Sequence, residues 1–213
     1  MAATGTLGAV AMSTATASVF FALLSLLCVA AVIGVVVLAV IRRAAPDSSA
    51  AYLLDDLGRI ALPMAALVAV VTTGGSLYFS QVAGFIPCEL CWVQRIAMYP
   101  LALILTIAAV RRDRQIWVYV VPVATLGGLV SIYHTQLQAF PDQGTFCTTL
   151  TPCTTRYVWE FGFVSLPFMA LTAFAFIVTM LLVARATDDD ELTEPSDTLE
   201  ATDTTEPRQV GAR

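Results

Sequence analysis

Apolar residues run along this chain in five long blocks, at 19–41, 60–81, 92–110, 116–137 and 163–184. Each approaches the roughly 20 residues that an α-helix needs to cross about 30 Å of hydrocarbon. Gly74, Gly75, Gly127, Gly128, Pro100, Pro122 and Pro167 fall inside the blocks. They do not disqualify them, because membrane helices tolerate both residue types. The chain shows no internal repeat, no nucleotide-binding glycine pattern and no stretch that reads as a soluble domain. The pattern predicts an all-α membrane protein: a four-helix transmembrane bundle over 60–184, preceded by one extra, peripheral N-terminal transmembrane helix at 19–41. Residues 1–18 are small and mildly polar and are expected to be disordered. Residues 187–213 are Asp, Glu, Thr and Pro with almost nothing apolar. They cannot bury enough surface to offset the entropy of ordering, so a disordered acidic tail is expected.

Composition supports lipid as the main solvent. Of 213 residues 58% are hydrophobic and 13% charged, against about 25% charged in soluble domains. The net charge of −5 reports the tail, since nine of the sixteen acids lie between Asp188 and Glu206. The basic residues, all arginine, set an orientation. Arg42, Arg43 and Arg59 lie between the first and second blocks, Arg111, Arg112 and Arg114 between the third and fourth, and Arg185 after the fifth. With five crossings these seven fall on one side, which the positive-inside rule makes cytoplasmic. The opposite loops hold only Arg95 and Arg156. The expected placement is a multi-pass cell (cytoplasmic) membrane protein with its N-terminus outside and its tail cytoplasmic. No side-chain positive charge precedes residue 19 and Arg42-Arg43 follows the block, so the first block reads as a retained helix rather than a signal peptide.

That orientation puts four of the five cysteines outside, two per loop: Cys88 and Cys91, then Cys147 and Cys153. Disulfides persist in that compartment. Cys28, in the middle of the first block, reads as a small inert hydrophobe. Several readings of the loop pairs remain open. A structural staple is weak for Cys88/Cys91, because closing so short a loop stabilises little, and tight disulfides are labile. A zinc knuckle is a second reading, although the five residues between Cys147 and Cys153 exceed the usual ligand spacing. A c-type haem would need His where Trp92 stands. Redox exchange is preferred, because C-x-x-C lowers thiol pKa. Both pairs are then expected to rest as disulfides.

The neighbourhood adds to that reading. Cys91 is expected at a helix start, where the positive end of the helix dipole favours a thiolate. Arg95 follows one turn later on the same face, suited to an anionic intermediate or a quinone oxygen, or else to snorkelling at the interface. Glu89 works against a thiolate. His134, the only histidine, sits near the outer end of the fourth block at about the depth of Cys91 and Arg95. Ionisable groups at that depth default to function.

Together, Cys88-Glu89-Leu90-Cys91-Trp92-Val93-Gln94-Arg95, Tyr133-His134-Thr135-Gln136-Leu137-Gln138, the Cys147/Cys153 pair, and Trp159-Glu160-Phe161-Gly162-Phe163 with Pro167 resemble the disulfide bond formation protein B (DsbB) family and its shorter BdbC-type members. The resemblance covers about 60–184. It implies a four-helix thiol–quinone oxidoreductase that reoxidises a thioredoxin-fold, DsbA-like extracytoplasmic oxidase and passes electrons to a membrane quinone, ubiquinone or menaquinone. It implies that Cys88/Cys91 faces the quinone with Cys91 nearest, that Arg95 and His134 belong to the quinone site, and that Cys147/Cys153 exchanges with the oxidase. Two features depart from the family: the extra first helix and the close spacing of the second pair. The vitamin K epoxide reductase family is a related alternative, but there the loop pair precedes C-x-x-C. A metal-binding or disulfide-stapled membrane scaffold is the non-enzymatic alternative. A transporter is disfavoured by the scarcity of acids and bases within blocks two to five.

Overall fold

The computed structural model describes residues 13–193, apart from 47, 144–146 and 148–150. Five helices carry the fold: α1 (Thr14–Ala44), α2 (Ser49–Leu77), α3 (Glu89–Arg111), α4 (Trp117–Ala139) and α5 (Leu166–Thr193). A π-helical turn, Tyr78–Val82, continues α2, and a 3₁₀ turn, Arg114–Ile116, leads into α4. All five are long and apolar enough to cross a membrane. Among the described residues the only β-pairing is one isolated bridge, Glu160 with Val164, closed through Phe161 and Gly162, both at positive φ.

Three helix ends reach past the apolar blocks, each for a local reason. The helix begins at Thr14, inside the segment expected to be disordered, because Ser13 Oγ accepts the Thr16 amide at 3.1 Å and caps it. Helix α2 begins at Ser49 rather than at 60. Its added turns bury Ala50 and Leu54, and Asp55 meets Arg42 of α1 at 3.4 Å. Helix α5 runs to Thr193, past residue 187 where a disordered tail was expected to begin. After Pro167 in its first turn no glycine or proline interrupts it before Pro195, which disfavours helical backbone in the residue ahead of it. The expected disorder of 1–12 and 194–213 falls outside the described residues.

The helices run up and down, and α5 fills the centre, packed on α1, α2 and α4, while α3 packs on α2 and α4. Small residues let the helices approach closely. Ala61, Ala65 and Ala69 of α2 are fully buried, and a Cβ on Gly127 of α4 would run into the Phe174 ring of α5. Leu101, Leu105, Ile177 and Leu181 complete the core. Large apolar side chains such as Ile96, Leu103 and Val110 point outward, as a lipid-solvated bundle requires. The first helix is not a loose appendage: it packs against α2 and α5.

Up-and-down order sorts the ends. One end carries the seven arginines, with Arg185 lying over the Trp117 ring at 4.2 Å. The other carries both cysteine pairs.

Candidate active site

Pro87 leads the chain into α3 in extended form, and Cys88 is the residue that caps it, with φ −74° and ψ 175°. Cys91 therefore falls in the first turn, where backbone N–H groups lack helical partners and the dipole is positive. The two sulfurs lie 3.1 Å apart as unbonded thiols, so of the two pairs expected as disulfides this one is in its dithiol form. Although only three residues apart, they face different surroundings.

Cys88 is buried and turns towards α4 and the second pair. Cys147 and Cys153 form a disulfide; Cys153 is 1% exposed and Cys147 half-buried. His134 lies between the pairs. Its Nε2 is 3.1 Å from the Cys153 carbonyl and 3.7 Å from Cys88 Sγ. A carbonyl only accepts, so Nε2 carries the hydrogen. Cys88 Sγ, the Cys153 sulfur and a His134 ring nitrogen all lie within 4.8 Å of one another. With Cys153 bonded to Cys147, this cluster offers one thiol and one imidazole, a donor set suited to exchange rather than to a closed metal site. The Cys88 thiol is pulled down to about 4, first by hydrogen bonding from Cys91 and then by His134, against burial, which raises it.

The loop bearing the second pair is pinned. The Arg156 guanidinium donates to the Gln138 carbonyl, at 2.9 Å from Nε, and stacks on Trp159 with 4.0 Å to the ring centroid. Gln138 Nε2 returns a bond to the Thr155 carbonyl at 2.9 Å. Phe85 stacks on Tyr157 at 4.8 Å. Gln138 and Arg156 had no assigned role in the sequence reading; the available signal was an arginine in a loop otherwise poor in charge.

Cys91 opens the other way, onto a cavity of about 610 Å³ between α1, α2, α3 and α5. Its wall is mostly apolar; Gln94, Arg95 and Ser76 line it together with Cys91, and Ser25, Thr72 and Thr172 are among its other lining residues. Arg95 Nη2 donates to the Ser76 carbonyl at 3.1 Å, and its guanidinium lies 5.4 Å from the Trp92 ring centroid. Gln94 is buried, and its Nε2 has no hydrogen-bond partner among the described residues. Arg95 and His134, expected at one site, are thus apart. Arg95 lines the large cavity, whereas His134 borders the small cleft between the cysteine pairs.

Residues 58–184 match the family model described as Disulfide bond formation protein DsbB. The chain belongs to the DsbB family. Among curated relatives, Disulfide bond formation protein C of Bacillus subtilis (strain 168) is 44% identical over 121 residues, covering 56% of this chain and 88% of the relative. A Probable disulfide formation protein C of Halalkalibacterium halodurans is 43% identical over 122 residues, covering 55% and 88%. A Probable disulfide formation protein C 1 of Bacillus cereus is 48% identical over 107 residues, covering 49% and 76%. No solved structure matches the chain. Family and fold together make the protein a multi-pass membrane disulfide oxidoreductase. All four loop cysteines lie inside the segment matched to the DsbB family; α1 lies before it.

Proposed function

We propose that this DsbB-family protein oxidises a water-soluble dithiol protein of thioredoxin fold outside the cytoplasm and passes the electrons to a membrane quinone. The single observation that carries the reading is the order of the sulfurs. Half-buried Cys147 is bonded to Cys153, Cys153 adjoins Cys88, and Cys91 opens onto the apolar cavity. Exchange proceeds by thiolate attack through mixed disulfides. The partner thiolate attacks Cys147 and releases Cys153. Once the partner's second thiol has displaced Cys147, Cys153 attacks Cys88 of an oxidised Cys88/Cys91 pair. Cys147 then closes on Cys153, leaving Cys88 and Cys91 as the dithiol. Reclosing that pair removes two electrons and two protons.

A quinone fits the residues present. The cavity is apolar, Arg95 and the unpartnered Gln94 amide stand beside Cys91, and both can donate to a carbonyl oxygen. When bound, the quinone supplies the two-electron acceptor. His134, as an Nε2–H donor, steadies the Cys88 thiolate and holds the Cys153 backbone next to it. The seven arginines at the opposite end support a cytoplasmic C-terminus and an outward-facing redox site.

The test is reconstitution of the purified protein in lipid vesicles with a reduced thioredoxin-fold dithiol and a benzoquinone or naphthoquinone, following quinone absorbance. Dithiol-dependent quinone reduction is expected. Exchange with the dithiol but no reduction of either quinone would overturn the acceptor assignment.

A further inference from the structure

The cavity beside Cys91 is walled on one side by a helix outside the matched segment. The match begins at residue 58, whereas α1 ends at Ala44. Phe21, Leu24, Cys28 and Ala31 line the cavity, and their spacing puts them in one stripe along α1. The seat of this helix is built. Gly75 of α2 leaves room for the Phe21 ring, and a Cβ there would meet it at 2.7 Å. Ser18 Oγ donates to Glu160 Oε1 at 2.6 Å, tying α1 to the second cysteine loop. Phe21 also meets Phe79, with ring centroids 5.6 Å apart.

The opposite wall holds an unmet polar demand. Gln94 is 8% exposed, lines the cavity three residues after Cys91, and its Nε2 is buried without a partner among the described residues. Buried amides of this kind are normally paired. The group that would pair with it is a hydrogen-bond acceptor entering from the cavity. One polar corner beside Cys91 and a long wall along α1 that is apolar but for Ser25, whose hydroxyl is taken up by the Ala22 carbonyl at 2.7 Å, describe a ligand with a carbonyl-bearing ring and an apolar tail.

We propose that α1 forms the tail-binding wall of the acceptor site and that Gln94 donates to the ring carbonyl, so that the extra helix sets the preference for tailed quinones. This rests on the quinone reading above and deepens it. The ring lies against Gln94 and Arg95 beside Cys91, and the tail runs along the stripe of Phe21, Leu24, Cys28 and Ala31.

The test uses the full-length protein in lipid nanodiscs. The probe is a benzoquinone with a decyl tail that ends in a photoreactive azide; after illumination, adducts are mapped by peptide mass spectrometry. Adducts are expected on the cavity stripe of α1. Leu24→Trp, which fills the tail channel, should cut adduct yield and raise the KM for the decyl quinone relative to the same ring without a tail by about tenfold, equivalent to roughly two buried methylenes. Gln94→Leu, close in size, should raise both KM values together. Dithiol exchange at Cys147–Cys153 reports that each variant is folded. Adducts confined to lipid-facing side chains, an unchanged KM ratio in Leu24→Trp, or equal labelling by an azide-bearing alkane without a ring would overturn the proposal. In each case quinone turnover by the unmodified protein would leave the proposed function standing. Dithiol exchange with neither turnover nor labelling would instead overturn the quinone reading itself.

Discussion

Cys88 and Cys91 are three residues apart, yet they occupy opposite kinds of space. Cys88 sits in a tight cleft of about 20 Å³ whose lining includes His134, Gln138, Pro152 and Tyr157. Cys91 also borders that cleft but opens onto a cavity of about 610 Å³. One side is narrow, pinned by hydrogen bonds from His134 and Gln138 to the loop that carries the second disulfide. The other is apolar and large enough for a guest. The helix start explains how so short a motif spans both. Cys88 caps α3 in extended backbone and Cys91 is already in the helical turn, so the two side chains leave the backbone in different directions while their sulfurs stay 3.1 Å apart. A C-x-x-C at a helix start thus places one sulfur against the second cysteine pair and the other against the apolar cavity.

The contrast breaks most completely if the cavity-side sulfur is removed. Cys91→Ala should abolish quinone reduction, because no second sulfur remains to close a disulfide with Cys88. It should also accumulate a Cys88–Cys153 bond on non-reducing peptide maps; full turnover in this variant would mean that Cys91 is not the acceptor-side thiol. Cys153→Ser should be nearly as severe, trapping the partner on Cys147 as a stable mixed disulfide because the resolving thiol is gone. A partner found only on Cys88 or Cys91 would reverse the relay order. Arg95→Ala acts on the cavity side alone. Hydrogen bonds from charged groups contribute about 1.5–3 kcal/mol, so the quinone KM should rise by about tenfold or more, with the dithiol exchange rate as the control that should hold.

The smallest effect is on titration. The Cys88 pKa lies at about 4, below the ordinary 9.0, so the reactive thiolate is present above about 4 and is lost only as pH falls through it. Alkylation of Cys88 in the reduced protein, read by mass spectrometry, should therefore stay level between about pH 5 and 8 and decline below, whereas an ordinary thiol gains reactivity throughout that interval. His134→Ala should move the midpoint upward, and Cys91→Ala should move it further, because hydrogen bonding from Cys91 is the larger cause. A midpoint near 9 in the unmodified protein would remove the thiolate from the cleft.

The helix count and the grouping of both cysteine pairs at one end could be read from the sequence, because apolar run length and arginine placement are strong, one-dimensional signals. Helix ends were less legible: Ser13, Ala50 and Leu54 extend helices through capping and packing that hydropathy does not register. The separation of Arg95 from His134 was not legible at all. Their similar depth along two helices says nothing about which way each faces, and facing is decided by the packing of α3 on α2 and α4 and of α4 on α5. The role of α1 was hidden for a related reason. Its inward face differs from its lipid face only by small residues and two serines, Ser18 and Ser25, and the notch that Gly75 leaves for Phe21 lies on another helix.

The central position of α5 has a consequence for how the protein is made. Within its membrane window 44% of the residues are buried, against 11% in α1, and it is made after the four helices it follows in the chain. Until it inserts, α4 lacks the Phe174 ring that lies against Gly127 in the finished bundle, and α2 lacks one of the helices it packs on. By then all four redox cysteines have already been synthesised, and two loops hold reactive thiols before any framework separates cleft from cavity. A nascent chain that ends before residue 166 therefore holds all four loop cysteines without the helix that packs on α1, α2 and α4.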